Sequence, residues 1–91
     1  MASDTWQIYI LCCRDGTLYT GITNNLDKRL QDHNLGRGAR YTRGRLPVTL
    51  VYQEVSTSRS MASRREAAIK KLTRSQKLEL INSFCSGRDQ V

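Results

Sequence analysis

The 91-residue sequence contains few residues of the kinds that build metal clusters and disulfide frameworks. It has a single histidine, which excludes a site built from several histidines. Its cysteines are odd in number and include no C-x-x-C pair. We therefore expect reduced thiols with a packing role, in a cytosol-like compartment. The three cysteines are Cys12, Cys13 and Cys85.

Long apolar segments and acidic residues are also scarce. No apolar run approaches the ~20 residues that cross a bilayer, and residues 1–5 do not have the pattern of a secretory signal. Eight Asp and Glu stand against fifteen Lys and Arg, which gives a net charge of +7. A basic excess favours a polyanionic partner, because neutralising phosphates releases condensed counterions. We therefore predict a nucleic acid as the partner and no membrane association; a merely soluble basic surface is the alternative.

The apolar pattern predicts one domain of the α+β class, a small sheet with helices packed on it in the order β-β-α-β-α-α. The domain is expected to span 1–91, with its core at about 6–84 and loose termini. The predicted elements are strands at 6–13, 17–23 and 48–55, and helices at about 25–35, 58–72 and from 73 onward.

Capping residues indicate where the predicted helices begin and end. Asn24 is the expected cap of the first helix, and Gly36 is its expected end. Ser58 or Ser60 can start the second helix. The last helix follows a capping box of the form T-x-x-Q that begins at Thr73.

Two tyrosines flank the turn of the first predicted hairpin. Tyr9 precedes the turn signal Arg14-Asp15-Gly16, and Tyr19 follows it. A two-residue turn would send the phenols to opposite faces, whereas a three-residue loop pairs Leu11 with Tyr19 and puts both phenols on one face. We favour the three-residue loop because it places a glycine where a positive φ is required. On the strands alone, packing is the more common role for tyrosine.

Three further polar residues are candidates for chemistry. Arg29 and His33 are spaced i, i+4 and share a helical face, for which plain solvation is the alternative. Histidine can act as an acid or a base near neutral pH. Glu66 interrupts the apolar stripe of the second predicted helix, where a carboxylate is costly unless it is paired or bound to metal. A metal ligand and an ion pair with Arg65 or a nearby lysine are both open.

The segment 36–47 is a predicted loop that is rich in glycine and arginine. A flexible backbone with guanidinium groups suits phosphate contacts, and a tyrosine can stack on a base. Many basic loops are simply solvated. The candidate nucleic-acid-binding residues of this loop are Arg37, Arg40, Tyr41, Arg43 and Arg45.

Together these residues resemble, in order and approximate spacing, the motifs of the GIY-YIG nuclease superfamily. The segments 36–45 and 69–74 look like its short single-domain bacterial branch, the UPF0213 or YhbQ-like proteins. The resemblance covers about residues 6–82, with Ile8 in place of the first glycine and Thr20 in place of the second isoleucine. Many members carry an asparagine beyond the glutamate, and here Asn82 lies in the last predicted helix. The matching residues are Ile8-Tyr9-Ile10, Tyr19-Thr20-Gly21, Arg29, His33 and Glu66.

The resemblance implies a three-stranded antiparallel sheet flanked by helices and a metal-dependent hydrolysis of phosphodiester bonds in DNA. Tyr19 is expected to deprotonate the attacking water, alone or with His33 accepting its proton, and Tyr9 is expected to position the phenol or the water. Arg29 would stabilise charge on the phosphoryl oxygens. Glu66 would hold one Mg²⁺ or Mn²⁺ ion. A non-catalytic nucleic-acid-binding module of the same fold is the alternative, and an RNA ligand is also open.

Overall fold

A computed structural model describes residues 5–38 and 40–89, with the side chains of residues 40, 41 and 85–89 outside the described part. The predicted order of strands and helices is confirmed. One additional element, a single helical turn, lies in the segment that the sequence predicts to be a loop. A turn of four residues is too short to produce an apolar periodicity. The elements are β1 (Trp6–Cys12), β2 (Leu18–Thr23), α1 (Leu26–Asn34), α2 (Arg40–Arg43), β3 (Thr49–Ser56), α3 (Arg59–Lys70) and α4 (Arg74–Asp89).

The three strands form one antiparallel sheet in the order β2-β1-β3, as the resemblance implies. The central strand β1 is covered on both sides, and its residues from Ile8 to Leu11 are all buried. Such a strand shows a continuous apolar run in place of alternation. The pairing of β1 with β3 shifts register between Ile10 and Leu11.

The turn between β1 and β2 is the predicted three-residue loop. The amide of Cys13 donates to the carbonyl of Thr17 at 2.8 Å, and the amide of Gly16 donates to the carbonyl of Cys13 at 2.9 Å. Gly16 has a φ of +86°, the left-handed conformation that glycine adopts without steric cost. This loop pairs Leu11 with Tyr19. The prediction that both tyrosines lie on one face is therefore confirmed.

The start of α1 corrects the sequence-based assignment of its cap. The cap is Asn25 and not Asn24: the Asn25 side chain accepts a hydrogen bond from the amide of Lys28 at 3.2 Å. The hydroxyl of Thr23 accepts from the amide of Asn25 at 3.0 Å, and this bond at the strand end displaces the cap by one residue. Gly36, with a φ of +78°, follows the helix as predicted.

The caps of the last two helices agree with the sequence. Ser58, one of the two candidates, caps α3 by accepting from the amide of Met61 at 3.2 Å. Thr73 and Gln76 form the predicted capping box, with reciprocal bonds of 2.9 and 3.2 Å. The last helix continues to Asp89, past the expected end of the core. None of the helices in 5–38 and 40–89 combines the length and apolar character that a membrane crossing requires.

The sheet separates two clusters of buried residues. On one side, called the α3–α4 face, side chains of β1 and β3 pack against α3 and α4. On the other, called the α1 face, they pack against α1 and the segment that follows it. Cys13 is buried on the α1 face and Cys12 is half-buried, both as free thiols; the side chain of Cys85 lies outside the described residues. The cores are Ile8, Ile10, Tyr52, Ala62, Ile69 and Ile81 on the α3–α4 face and Tyr9, Leu11, Cys13 and Val48 on the α1 face.

Candidate active site

Tyr9 is the centre of the polar group on the α1 face. It lies on the central strand with 1% of its surface exposed. Its Oη is 3.4 Å from Nε of Arg29 and 3.1 Å from Nε2 of His33. Gly21 is its partner across the β1–β2 pair, and a Cβ there would lie 2.6 Å from the phenol oxygen. The glycine of the second motif therefore leaves the space that the Tyr9 hydroxyl fills.

His33 is fully buried and uses both ring nitrogens. Nε2 contacts Tyr9, and Nδ1 lies 2.9 Å from Oγ1 of Thr42 in α2. Gly38 packs its backbone against the imidazole, and a side chain at that position would collide with the ring. Burial, and secondly the charge of Arg29, lower the pKa of His33 below its ordinary value. The imidazole is therefore neutral at neutral pH.

The donors available set the direction of these hydrogen bonds. A guanidinium only donates, so the Tyr9 oxygen accepts from Arg29. The phenol O–H can then donate to Nε2 of His33, and the Nδ1–H can donate to Thr42. This chain gives each group a partner, and it depends on Thr42, which the sequence analysis did not single out. No local signal distinguishes Thr42 from other threonines, because only α2 brings it to the imidazole.

Tyr19 lies beside this chain and is half-buried. Its ring centroid is 5.3 Å from that of His33 and 6.3 Å from that of Tyr9. Hydrogen bonding to Tyr9, and less strongly the interaction with Tyr19, raise the pKa of Arg29. Arg29 therefore connects the two phenols. The pKa of Tyr9 is also raised, because burial outweighs the hydrogen bond from Arg29.

Glu66 lies on α3, and its charge affects Tyr9 on the α1 face. Helix α3 packs over β2, the edge strand that carries Tyr19. The charge of Glu66 reaches Tyr9 and contributes, less than burial does, to the raised pKa of that phenol. Glu66 is therefore within range of an electrostatic interaction with Tyr9.

The Glu66 side chain is 23% exposed and forms an ion pair with Lys70, with Oε2 and Nζ 3.4 Å apart. The pairing with a nearby lysine, one of the two interpretations left open by the sequence, is therefore present. Arg65, the other candidate partner, pairs with Glu54 at 2.9 Å. Among the residues described, no three or more His, Cys, Asp or Glu residues gather as they would around a multi-ligand metal ion.

The arginine-rich segment has two kinds of arginine. Arg37 and Arg43 are exposed. Arg45 pairs with Asp15 at 3.0 Å, and its carbonyl accepts from the amide of Arg14 at 2.8 Å, which ties the segment to the hairpin turn. The side chains of the remaining two candidates, Arg40 and Tyr41, lie outside the described residues. Segment 36–47 therefore also has a structural role, because Arg45 links it to the hairpin turn.

Asn82 lies on a helix that packs mainly away from the strand that carries Tyr19. It is exposed on α4, which packs mainly against β3, and β3 is the edge strand opposite β2. Asn34 has a supporting role that the sequence analysis did not anticipate. Its side chain accepts from the amide of Val48 at 2.8 Å and donates to the carbonyl of Val48 at 3.3 Å, which fixes the end of α1 against the approach to β3.

Comparison with known proteins gives a consistent result. A model of the GIY-YIG catalytic domain matches residues 5–79. The UPF0213 protein CPE1444 of Clostridium perfringens is 60% identical over 76 residues, which cover 84% of this chain and 82% of that protein. The UPF0213 protein DP2720 of Desulfotalea psychrophila is 53% identical over 83 residues, 90% of this chain and 76% of that protein.

Two solution NMR structures have the same fold. The UPF0213 protein BH0048 of Bacillus halodurans matches with a TM-score of 0.56 and 42% identity, over 86% of this chain and 83% of that one. The protein EF2693 of E. faecalis matches with a TM-score of 0.62 and 41% identity, over 92% of this chain and 91% of that one.

Proposed function

This chain belongs to the GIY-YIG catalytic domain family, among the UPF0213 proteins, and from that premise we propose that it is an endonuclease that hydrolyses phosphodiester bonds in DNA. The domain is that of a nuclease family and implies a nucleic acid as the partner. The net charge of +7 is consistent with such a partner. DNA as the substrate, the metal and the residue roles are the parts that we propose.

One observation supports the proposal above the others. Two phenols, a guanidinium and an imidazole form one contact group, and a carboxylate lies within electrostatic reach of it. A basic fold that only binds nucleic acid has no need to bury a neutral imidazole beneath a phenol. Buried polar groups cost free energy unless they are hydrogen-bonded. Their presence here favours a chemical role for the α1 face.

We assign the role of general base to Tyr19. It is more exposed than Tyr9, so its phenol can release its own proton to solvent before it accepts one from the attacking water. Burial raises the pKa of Tyr9 and so disfavours the phenolate that a base requires. Both nitrogens of His33 are engaged, by Tyr9 and Thr42, so we assign His33 to holding Tyr9 and not to accepting a proton directly from Tyr19. Tyr9 would then position the water or the second phenol.

Arg29 is the proposed stabiliser of negative charge on the phosphoryl oxygens. Its Nε donates to the Tyr9 oxygen, and a weaker interaction with Tyr19 also raises the pKa of the guanidinium. A guanidinium carries five N–H donors, so it can contact a phosphate while it keeps these bonds. Preorganised donors of this kind are effective because they need no rearrangement as charge develops.

Glu66 fits a site for one Mg²⁺ or Mn²⁺ ion. Its carboxylate is partly exposed and its present partner is a single exposed lysine. One carboxylate suits Mg²⁺, which keeps several waters and takes further ligands from the substrate. When bound, such an ion supplies stabilisation of charge on the scissile phosphate and leaving oxygen.

A non-catalytic nucleic-acid-binding module is the competing proposal. The ion pair between Glu66 and Lys70 favours it, because it engages the carboxylate that the nuclease needs for metal. An RNA ligand fits either proposal, because neither proposal assigns a residue to contact a 2′-hydroxyl or a base edge.

A cleavage assay tests the proposal. Wild-type protein is incubated with duplex, nicked, flapped and branched DNA and with the matching RNAs, each in Mg²⁺, in Mn²⁺ and in EDTA. We expect cleavage of at least one DNA in the presence of metal and none in EDTA. Binding without cleavage under every condition would support the binding module, and cleavage of RNA alone would reject DNA as the substrate.

A further inference from the structure

A cleft connects Tyr19 with the corner between α3 and α4. Its volume is about 270 Å³, and its lining includes Leu18, Tyr19, Lys70 and Lys77. A second hollow of about 190 Å³ shares Leu18 and Lys77 and continues to Arg74. We call these two hollows the corner cleft. It is separate from segment 36–47, which the sequence analysis chose as the binding surface, and it contains part of the motif 69–74.

Two of the three cations that line the corner cleft are not paired with a described carboxylate. Among the described residues, Arg74 and Lys77 have no carboxylate within 4.0 Å, although Lys77 is half-buried. One nitrogen of Arg74 donates to the carbonyl of Gly16 at 3.0 Å, which holds the guanidinium beside the hairpin turn. Its other N–H groups remain available to a ligand. A held guanidinium and a half-buried ammonium suit an anion that enters from solvent.

Lys70 is the cation that connects the corner cleft to the candidate active site. It lines the cleft beside Tyr19, and it is also the partner of Glu66. That ion pair is 3.4 Å long and the lysine side chain is 54% exposed. Exposed ion pairs contribute little to stability, so Lys70 can exchange its partner at small cost.

A solvated basic corner is the ordinary explanation for three cations near the junction of two helices. Two observations favour a binding role. Tyr19 lines the cleft beside Lys70, and Leu18 adds an apolar part to the lining. In contrast, the charge of Arg45 in segment 36–47 is already balanced by Asp15. The corner cleft therefore adds cations next to Tyr19 to the exposed Arg37 and Arg43 of that segment.

We propose that the corner cleft holds the sugar-phosphate backbone of the nucleic acid next to the bond that is cut, with Lys70, Arg74 and Lys77 on its phosphates. When a phosphate enters, Lys70 leaves Glu66 for it, and the carboxylate becomes available to a metal ion. This proposal rests on the proposed function for the identity of the ligand, and it concerns binding and not the chemical step.

The first test is the salt dependence of binding to a DNA duplex in EDTA, where no metal-dependent cleavage intervenes. Lys77→Gln and Lys70→Gln each remove one positive charge. Arg64→Gln is the matched control, because Arg64 is exposed on α3 and lines neither hollow. Each lost phosphate contact should reduce the slope of log K against log salt by about 0.9. Between about 50 and about 200 mM salt, each lysine variant should thus lose about 3.5-fold less affinity than wild type does.

The control should keep the wild-type slope, and Lys77→Arg should restore it by keeping the charge. Thermal melting of each variant shows that it is folded. Equal slopes for wild type, both lysine variants and the control would overturn the proposal, as would a wild type that does not bind duplex. Binding with the expected slopes but no cleavage in Mg²⁺ or Mn²⁺ would reject the nuclease and leave the corner cleft supported.

The second test concerns the exchange of partners. If Glu66 competes with phosphate for Lys70, then Glu66→Gln should bind DNA in EDTA more tightly than wild type. The gain should vanish when Lys70→Gln is also present, because the competition is then already absent. If Glu66→Gln raises the affinity for DNA equally with Lys70 and with Lys70→Gln, the gain reflects only the loss of a negative charge near DNA. That result would overturn the proposed exchange of Glu66 for phosphate on Lys70.

Discussion

The two faces of the sheet bury different kinds of side chain. On the α3–α4 face, Ile10 and Ile69 are fully buried and need only a matching shape. On the α1 face, Tyr9, His33 and Thr42 are equally buried and each needs a hydrogen-bond partner. Within the described residues, no buried side-chain nitrogen or oxygen lacks one. The α3–α4 face therefore contributes mainly to stability. The α1 face holds polar groups that can take part in chemistry, and the loss of one hydrogen-bond partner there is costly.

Strand β1 belongs to both faces at once. Ile8 and Ile10 point to the α3–α4 face, and Tyr9 and Leu11 point to the α1 face. Because side chains alternate along a strand, packing on one side holds the phenol on the other. The comparison predicts that matched substitutions on the two faces have different consequences: loss of catalysis on or near the α1 face, and loss of stability alone on the α3–α4 face.

The largest contrast is expected between two partly buried glutamates. Glu66→Gln should abolish metal-dependent turnover and change the free energy of unfolding by less than about 0.5 kcal/mol, because its partner Lys70 is exposed. The sequence indicates that an unpaired carboxylate at this position is costly, and the ion pair with Lys70 lowers that cost. Glu54→Gln is the control. Glu54 bonds Tyr52 and Arg65, so its loss should cost about 0.5–1.5 kcal/mol and leave cleavage intact. Cleavage rates and thermal melting of both variants measure these two effects.

The second contrast uses the same substitution on each face. Tyr19→Phe should reduce the cleavage rate by ~10²–10⁴, the usual contribution of a general base, without much effect on DNA binding. Tyr52→Phe removes a hydroxyl that donates to Glu54 at 2.5 Å, so it should cost about 1 kcal/mol of stability and leave the rate unchanged. Single-turnover cleavage and denaturant unfolding measure the two effects. A Tyr19→Phe variant that cuts as fast as wild type would refute the assigned base.

The third contrast concerns stability alone. Thr42→Val keeps the side-chain shape but leaves Nδ1 of His33 without its partner, which should cost about 1–3 kcal/mol. Ile69→Val deletes one methylene from the apolar face and should cost about 0.5–1.5 kcal/mol. Urea unfolding of both variants measures the difference. A Thr42 variant as stable as wild type would show that the imidazole does not need this partner.

The smallest effect is a dependence of stability on pH that arises from His33. Its pKa in the folded protein is lowered from 6.5, first by burial and then by Arg29, with Asp32 acting in the opposite direction. Below pH ~6.5 the unfolded chain binds a proton that the folded chain excludes, so stability is retained above that pH and declines as pH falls, by at most about 1.4 kcal/mol per pH unit. Melting temperatures between about pH 8 and about pH 5 should show this decline, and His33→Gln should flatten it. An equally steep decline of the melting temperature in His33→Gln would show that other groups cause the pH dependence.

Much of the local structure can be predicted from the sequence. The hairpin register follows from Gly16, because the three-residue loop requires a positive φ at its last position and glycine adopts that conformation without strain. Ser58 and Thr73 mark the helix starts for a similarly local reason, since their hydroxyls satisfy amides three residues away. The choice between Asn24 and Asn25 went wrong because two adjacent residues of the same type give the same local signal.

The sequence by itself determined the strands, the caps of α3 and α4, the turn and hence the shared face of Tyr9 and Tyr19, because these depend on interactions over a few residues. The tertiary structure alone decided the partners of the site residues: Thr42 for His33, Arg29 for Tyr9, and Asp15 for Arg45. Such contacts join groups that are far apart in the chain. They form only where the packing of both sheet faces brings those groups together, and no local pattern records which of several chemically equivalent partners will meet.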